Sequence, residues 1–509
     1  MREEYEEIPY LAGTHAETHP SRIAAHAVLH GLEPAPIEQA RVLYVGCARG
    51  RNLVPVAADH PGSHVVGVDI APAQIADAQV LVDRLGLDNV QLYAQDLLEA
   101  PLEGPFDYIV AHGFVSWVPP EVRDAFFARC GALLSENGVV YASYNTLPGW
   151  HLRRAIRDLL LRGGRGAQGE AAVERGRELL GVVGGIAKAR GDLWAKLLEH
   201  EHDLIADKGN WYVAHDHMAS INEPFYLTQV LEMAAPHGLQ YLGEVDGSRE
   251  VPPLPPPVQQ KLQEFAADPV EFEELLDCVG GREFRCTLLC RDDQATHAFA
   301  LPDRLARLYL SMEGSVEGEL ALDERVAATF RGKRRSFQID EPILKAALAV
   351  LLEAWPAAVG LERVYGRALK RLGRKAPSEK ELRLLCESLL YAVGNGFLEV
   401  DLRQRRFVPE VTERPVASRV ARAQLAVGDE WVATGWHRTL RLPPFDRALV
   451  TRLDGRPWSE VVQGLLAEVD AGRLEVEDLP VDPPRRRTAL EALAERRLEI
   501  LAEKAMLTG

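Results

Sequence analysis

The chain has 509 residues, 47% hydrophobic and 26% charged, the composition of an ordinary globular protein; at about 100–200 residues per domain it holds three or four domains. Lys+Arg 58 against Asp+Glu 75 leave a net charge of −17, which disfavours a general nucleic-acid binder, since phosphate contacts need a positive face. No apolar run approaches the ~20 residues of a membrane span, and the acidic start Met-Arg-Glu-Glu-Tyr-Glu-Glu lacks a signal peptide's apolar stretch, so a cytoplasmic protein is expected.

From residue 41 strands and helices alternate. Strands are predicted at 41–45, 64–69, 89–93, 106–110 and 138–144, with helices at 52–60, 72–85 and 119–134 between them. Near-continuous apolar strands joined by helices predict a parallel sheet covered on both faces, a doubly wound α/β domain. Residues 152–238 carry helical runs without a convincing strand. Strands at 239–244 and 284–291 then complete a seven-stranded sheet, so the helical stretch is an insertion between its fifth and sixth strands. The proline run 251–257 reads as a stiff connector. This unit spans 1–293, and 294–330 reads as a linker. Helices at 342–355, 364–372 and 379–393, followed by a hairpin of 397–400 with 406–408, predict a winged-helix-like domain over 331–410. The fold of 411–509 is left open.

In such sheets ligands bind beyond the carboxyl ends of the strands. The loop after the first strand reads Gly46-Cys47-Ala48-Arg49-Gly50, where a glycine-spaced turn into a helix lets backbone N–H groups approach a ligand. It is neither a dinucleotide fingerprint nor a P-loop. Asp69, ending the second strand, is placed to hydrogen-bond both hydroxyls of a ribose. Asp96, after the third, can accept from an adenine amino group. The six cysteines, Cys47, Cys130, Cys278, Cys286, Cys290 and Cys386, form no metal-binding pair and read as buried thiols.

Residues 41–150 resemble a class I S-adenosylmethionine-dependent methyltransferase with a Rossmann-like sheet. The stretches THPSRIAAHAVLHGLEP, VLYVGCARGRNLVPVA, VVGVDIAPAQIADAQ, FDYIVAHGFVSWVP, ASYNTLPGWH, INEPFYLTQVLEMAAPHGLQYLGE and GREFRCTLLCR resemble one bacterial family: protein-lysine methyltransferases with a methyltransferase regulatory domain, which act on outer-membrane proteins. Residues 330–509 resemble its winged-helix region less tightly. The resemblance implies S-adenosylmethionine held by Gly46, Cys47, Gly50, Asn52, Asp69, Ile70, Asp96, Leu97 and Ala111. It assigns the reaction to His112, Tyr144 and Trp117, with Trp150, Asn145 and Tyr10 on the substrate side. His112 would assist proton loss through a water, and Trp117, Tyr144 and Trp150 would wall the amine by cation–π contact. No metal is expected.

The sequence departs from the family pattern at Tyr44, where an acidic residue is usual, and at Ala48 and Arg49 in the loop. Ala48 is tolerated if its φ is negative, and Arg49 either pairs with the cofactor carboxylate or obstructs it. Two other functions share these motifs: a methyltransferase of a small molecule or biosynthetic peptide, and a degenerate fold that binds a peptide without catalysis. The basic runs 331–335, 367–375 and 403–406 face an acidic third helix (Glu379, Glu381, Glu387), so protein docking is expected there rather than DNA binding. The insertion, rich in leucine, is expected to form a homodimer and to gate the substrate. No membrane partner is expected.

Overall fold

The computed structural model describes residues 6–11, 13–245, 254–322, 325–333, 335–374, 378–405, 407 and 412–508. Seven strands form one sheet: β1 Arg41–Val45, β2 His64–Asp69, β3 Val90–Ala94, β4 Phe106–Ala111, β5 Leu134–Asn145, β6 Leu239–Glu244 and β7 Phe284–Arg291. Their order is β3-β2-β1-β4-β5-β7-β6. The first five run parallel, and β7 is antiparallel to both β5 and β6. The reversal between β1's two neighbours is the switch point where such sheets open a crevice.

Local chemistry explains the boundaries. The helix Pro72–Leu85 begins with proline at its first position and stops at Gly86, whose φ of 62° is the left-handed C-cap conformation. Gly67 sits inside β2 for want of space: a Cβ there would meet Leu53, Leu92 and the Cys47 sulfur, each within 2.9 Å. One face of the sheet packs Val42, Tyr44, Val65 and Tyr108 against Ile23, Leu53 and Leu81. The other packs Leu43, Val66 and Ile109 against Phe126 and Phe127.

At the reversed edge the sheet carries a charge network. Arg285, fully buried on β7, reaches Glu244 at 2.7 Å and Asp277 at 2.7 Å. Arg282 adds contacts to the same two carboxylates at 3.5 and 3.4 Å. Buried charges survive only when paired in this way.

The insertion between β5 and β6 is helical, as expected. The helices Gly149–Gly163, Gly169–Ala187 and Leu193–Ala206 bury Ile156, Leu160, Val173, Leu180, Leu198 and Ile205 among themselves. Val182, Ile186 and Leu193 stay exposed at its tip.

Two expectations need correction. Residues 294–330 are not a bare linker: Tyr309–Ser311, Gly314–Val316 and Ala328–Gly332 are strands, and Leu305, Leu308, Leu310, Met312 and Phe330 join the core of the next domain. That domain has its three helices, Pro342–Ala354, Leu361–Arg371 and Glu379–Gly394. Its strand Glu399–Asp401 pairs with Tyr309–Ser311, where the upstream segment supplies the apolar partner Leu310. Arg406 and Val408 of the predicted hairpin, and Pro252 and Pro253 of the proline run, lie outside the described residues. Finally, Cys278 is exposed, whereas the other five cysteines are buried.

Residues 412–508 form a further helical unit with one hairpin, Trp431–Ala433 with Thr439–Arg441, over a core that includes Leu449, Leu465, Leu490 and Leu498. It packs against the first domain, where Val420 and Ala433 meet Ala58.

Candidate active site

Beyond the carboxyl ends of β1, β2, β3 and β4 lies a cavity of about 200 Å³. Its floor is the glycine loop. Gly46 and Cys47 both donate to the Val68 carbonyl, at 2.9 and 3.1 Å, and Gly50 donates back to Cys47. Gly46 and Gly50 have φ of 66° and 68°. Ala48, expected at negative φ, has φ 47°, a conformation that costs an L-residue roughly 1–2 kcal/mol. The Ala48 N–H is held there by Asp69 Oδ2 at 2.8 Å.

Asp69 thus has a structural duty as well as a position at the cavity. Its other oxygen accepts from the Ala71 N–H at 2.9 Å. Burial raises its pKa, and the N–H groups of Ala71, Ala48 and Ile70 pull it back. A carboxylate offers about four acceptor sites, so acceptor capacity remains for a ligand's hydroxyl. Asp96 keeps one oxygen on the Leu98 N–H at 2.9 Å. Arg49 neither lines the cavity nor blocks it, because Asp77 at 2.7 Å and Asp429 at 3.6 Å hold it outside.

Of the residues singled out from the sequence, Gly46, Cys47, Asn52, Asp69, Ile70, Asp96, Leu97, His112, Trp117 and Tyr10 line the cavity. Five do not. Gly50 packs on the next helix, where a Cβ would come 2.8 Å from that of Ala78. Ala111 is fully buried in the sheet. Tyr144 is fully buried, with its hydroxyl 2.9 Å from Thr287 Oγ1, because its β-strand position points into the core. Trp150 is buried in the insertion beside His217, ring centroids 6.3 Å apart. Asn145 acts at one remove: its Nδ2 donates to Asn222 Oδ1 at 3.0 Å, and Asn222 donates to the Asp216 carbonyl at 2.7 Å.

His112 is oriented from below. Its Nδ1 lies 2.9 Å from the Tyr141 hydroxyl, which itself donates to the Cys286 sulfur. That direction puts the proton on Nδ1 and leaves Nε2 an acceptor. Burial, aided by the neighbouring His15, pushes the imidazole pKa down to about 3, against the pull of Glu17. His15 stacks on His112 with ring centroids 4.0 Å apart. His15, Glu17 and His112 each bring a donor atom within 4.8 Å of the others.

The roof comes from remote segments, of which the sequence reading supplied Tyr10 and missed the others. Tyr10, Gly13 and His15 come from the N-terminus, His215 and Asp216 from the insertion, and Phe284 from β7. Trp117 Nε1 donates to the His215 carbonyl at 2.9 Å. Tyr10 sits edge-on to Trp211 and His215, at 5.2 and 5.6 Å. The unit 412–508 closes the side: Asn52 Oδ1 accepts from the His15 N–H at 3.1 Å and from Thr18 Oγ1 at 3.0 Å, and His437 Nε2 lies 2.9 Å away. Arg51 on the same loop pairs with Asp429 at 2.5 Å. The run NWYVAHDHM, dense in aromatic, histidine and aspartate residues without helical apolar spacing, was the available signal for the roof.

This sheet, its glycine loop and the carboxylates at the ends of β2 and β3 define a class I methyltransferase. Residues 43–140 match the family described as a methyltransferase domain, 209–291 a predicted methyltransferase regulatory domain, and 413–506 the PKMT C-terminal winged helix domain. The family's winged helix thus falls on the segment left open by sequence, not on 331–410. An uncharacterized protein of Rickettsia prowazekii (strain Madrid E) is 29% identical over 481 residues, 92% of this chain and 87% of that protein. A second from the same organism is 33% identical over 232 residues, 45% of this chain and 93% of its own length. Among solved structures, PKMT2 from Rickettsia typhi superposes with a TM-score of 0.87 at 27% identity, covering 98% of this chain and 100% of that one. Its complex with AdoHcy gives 0.86 at 26% identity. The chain belongs to this family of class I methyltransferases, which joins the catalytic sheet to a methyltransferase regulatory domain and a PKMT winged helix.

Proposed function

We propose that the chain transfers the methyl group of S-adenosylmethionine to a lysine amine of a polypeptide. The observation that carries this reading is the two-part cavity, whose floor suits the cofactor and whose roof suits a cationic side chain. The likeness over the full length of PKMT2, solved with AdoHcy, supports the cofactor. Tyr44 supports it independently. Tyr44 lines the cavity, its buried hydroxyl has no hydrogen-bond partner among the described residues, and burial holds the phenol protonated far above its ordinary range. A buried orphan hydroxyl is costly unless a ligand completes it. We assign it to the polar amino-acid end of the cofactor, where the family's usual acidic residue is missing. Asp69 would take the ribose and Asp96 the adenine amino group.

When bound, the cofactor supplies an electrophilic sulfonium methyl. The protein's part is to place a neutral amine in line with it. An ordinary lysine amine has a pKa near 10.4, so the site must favour proton loss. His112 Nε2, neutral throughout the working pH range, can orient the amine or a water by accepting its proton in a hydrogen bond. Trp117 and Tyr10 can hold the cation by its methylene stem and ring faces. The fit is tested by incubating the full chain with methyl-labelled S-adenosylmethionine and poly-L-lysine, then hydrolysing the polymer. Label in Nε-methyl-lysine supports the reading; label on a small molecule only would redirect it.

The exposed Val182, Ile186 and Leu193 at the insertion tip support a twofold dimer through that element. Light scattering is expected to give about twice 56.3 kDa; a single-chain mass across the micromolar range would contradict it. Arg331, Arg371 and Arg374 ion-pair with Glu317, Glu353 and Glu381, which favours protein over nucleic acid as partner.

A further inference from the structure

The turn Val213–His217 is a π-helix, closed by the Met218 N–H on the Val213 carbonyl at 2.9 Å. Such turns are rare and frequently mark functional sites. This one delivers the Asp216 side chain to the cavity that also holds His112 and the glycine loop. Asp216 Oδ2 is buried and accepts no hydrogen bond among the described residues. Nearby cations are engaged elsewhere: Arg153 pairs with Glu283 at 2.8 Å and with Glu201 at 3.5 Å, and Lys208 lies over the Tyr212 ring at 5.4 Å.

The turn is not loosely held. The Asn145–Asn222 pair fixes the Asp216 carbonyl, Trp117 fixes that of His215, and His215 Nε2 meets the Ile8 carbonyl at 2.5 Å. Three segments thus fix the backbone around a carboxyl whose Oδ2 has no partner among the described residues. Burial pushes Asp216 up to about 7, although Arg153 and Lys208 pull it down. Buried carboxyls are normally paired. An unpaired one beside the aromatic faces of Tyr10 and Trp117 is complementary to a cation entering from outside.

We propose that Asp216 receives the acceptor's ammonium group and takes its proton, making this cavity selective for a primary amine over a hydroxyl or a carboxylate. The proposal rests on the reading above, in which the site methylates a lysine. The ammonium first donates a hydrogen bond to Oδ2. Its proton then moves to that oxygen, leaving a neutral amine and a protonated carboxyl. The nitrogen lone pair forms the N–C bond as the S–C bond breaks, its electron pair staying on sulfur. The methylated ammonium keeps the charge, S-adenosylhomocysteine leaves neutral at sulfur, and Asp216 returns its proton to solvent. A neutral or anionic acceptor would leave Asp216 uncompensated. The same requirement explains a carboxyl poised near neutrality, since it must accept a proton and release it in each turnover.

The full chain, saturated with S-adenosylhomocysteine, is melted in rising n-butylamine hydrochloride, with n-butanol as the neutral isostere. Butylammonium is expected to raise the melting temperature of wild type while butanol does not, and Asp216→Asn is expected to lose the response with S-adenosylhomocysteine affinity within about twofold of wild type. Asp216→Glu is expected to recover part of it, and it serves as the test variant if the asparagine form fails to fold. In turnover with poly-L-lysine, Asp216→Asn is expected to raise the polymer's KM on the order of tenfold or more, as losing a charge-assisted bond implies, while leaving the cofactor's KM unchanged. Equal responses of wild type to amine and alcohol, no response to either, or an unchanged response in Asp216→Asn would overturn the proposal. Butylammonium selectivity without label transfer to any lysine polymer would instead contradict the proposed reaction and leave the cation site standing.

Discussion

The floor and the roof of the cavity are built by opposite strategies. The floor is local: each loop follows its own strand, and Asp69 reaches only as far as Ala48 and Ala71. The roof is assembled from Tyr10, His15, Trp117 and Asp216, on segments far apart in the chain, and is braced by His437 from the C-terminal unit. A floor made by sheet topology suits a ligand that many such enzymes share. A roof made by tertiary assembly is free to vary, and it is the part the proposed function assigns to acceptor choice. Long-range assembly has a cost, because the roof exists only when the insertion, the reversed strands and the C-terminal unit are all docked.

The sharpest way to break the roof is at β7. Asp277→Ala leaves Arg285 buried with one main partner, and removing one member of a buried ion pair typically costs about 3–5 kcal/mol. Denaturant unfolding should show that loss, with acceptor turnover falling before cofactor binding does. Acid comes next. Burial pushes His26, His60, His112 and His217 down to about 3, whereas they take up protons near 6.5 when unfolded. Below pH 6.5 the unfolded chain therefore binds more protons, and each histidine removes about 1.4 kcal/mol of stability per pH unit. Asp216, raised by burial to about 7, has the opposite sign and offsets one of the four. The melting temperature should fall from pH 7 to pH 5.5; a flat or rising profile would contradict the burial of these rings.

Smaller effects separate floor from roof. His437→Ala deletes one contact on Asn52 and is expected to cost about 0.5–1.5 kcal/mol, read as a lower melting temperature and a modestly higher cofactor KM. If the KM does not move, the C-terminal unit braces the roof without touching the floor. The smallest effect is on DNA: a gel shift at physiological salt should show no sequence-dependent binding, given the carboxylates on the helix Glu379–Gly394.

The same contrast governs what was legible beforehand. The helix at Pro72–Leu85 and the strand positions could be read because apolar spacing, proline and glycine act within a few residues. Asp69 and His112 could be read because the first ends a strand and the second directly follows one. Tyr144 and Trp150 were misplaced because an aromatic residue near a strand's end reads alike whether it faces a cavity or the core, and only packing decides. Glu17, Asp216 and His437 carry no local signature at all; their roles exist only through partners on distant segments. The strand Glu399–Asp401 likewise has a partner that no local pattern announces, upstream at Tyr309–Ser311.

Calorimetric titration of the full chain with S-adenosylmethionine, in wild type and in Asp69→Ala, tests the central claim most directly. One site per chain is predicted, weakened in the variant by about 1.5–3 kcal/mol for the lost charge-assisted bonds. No heat with wild type, or equal affinity in the two proteins, would contradict a cofactor seated on the glycine loop.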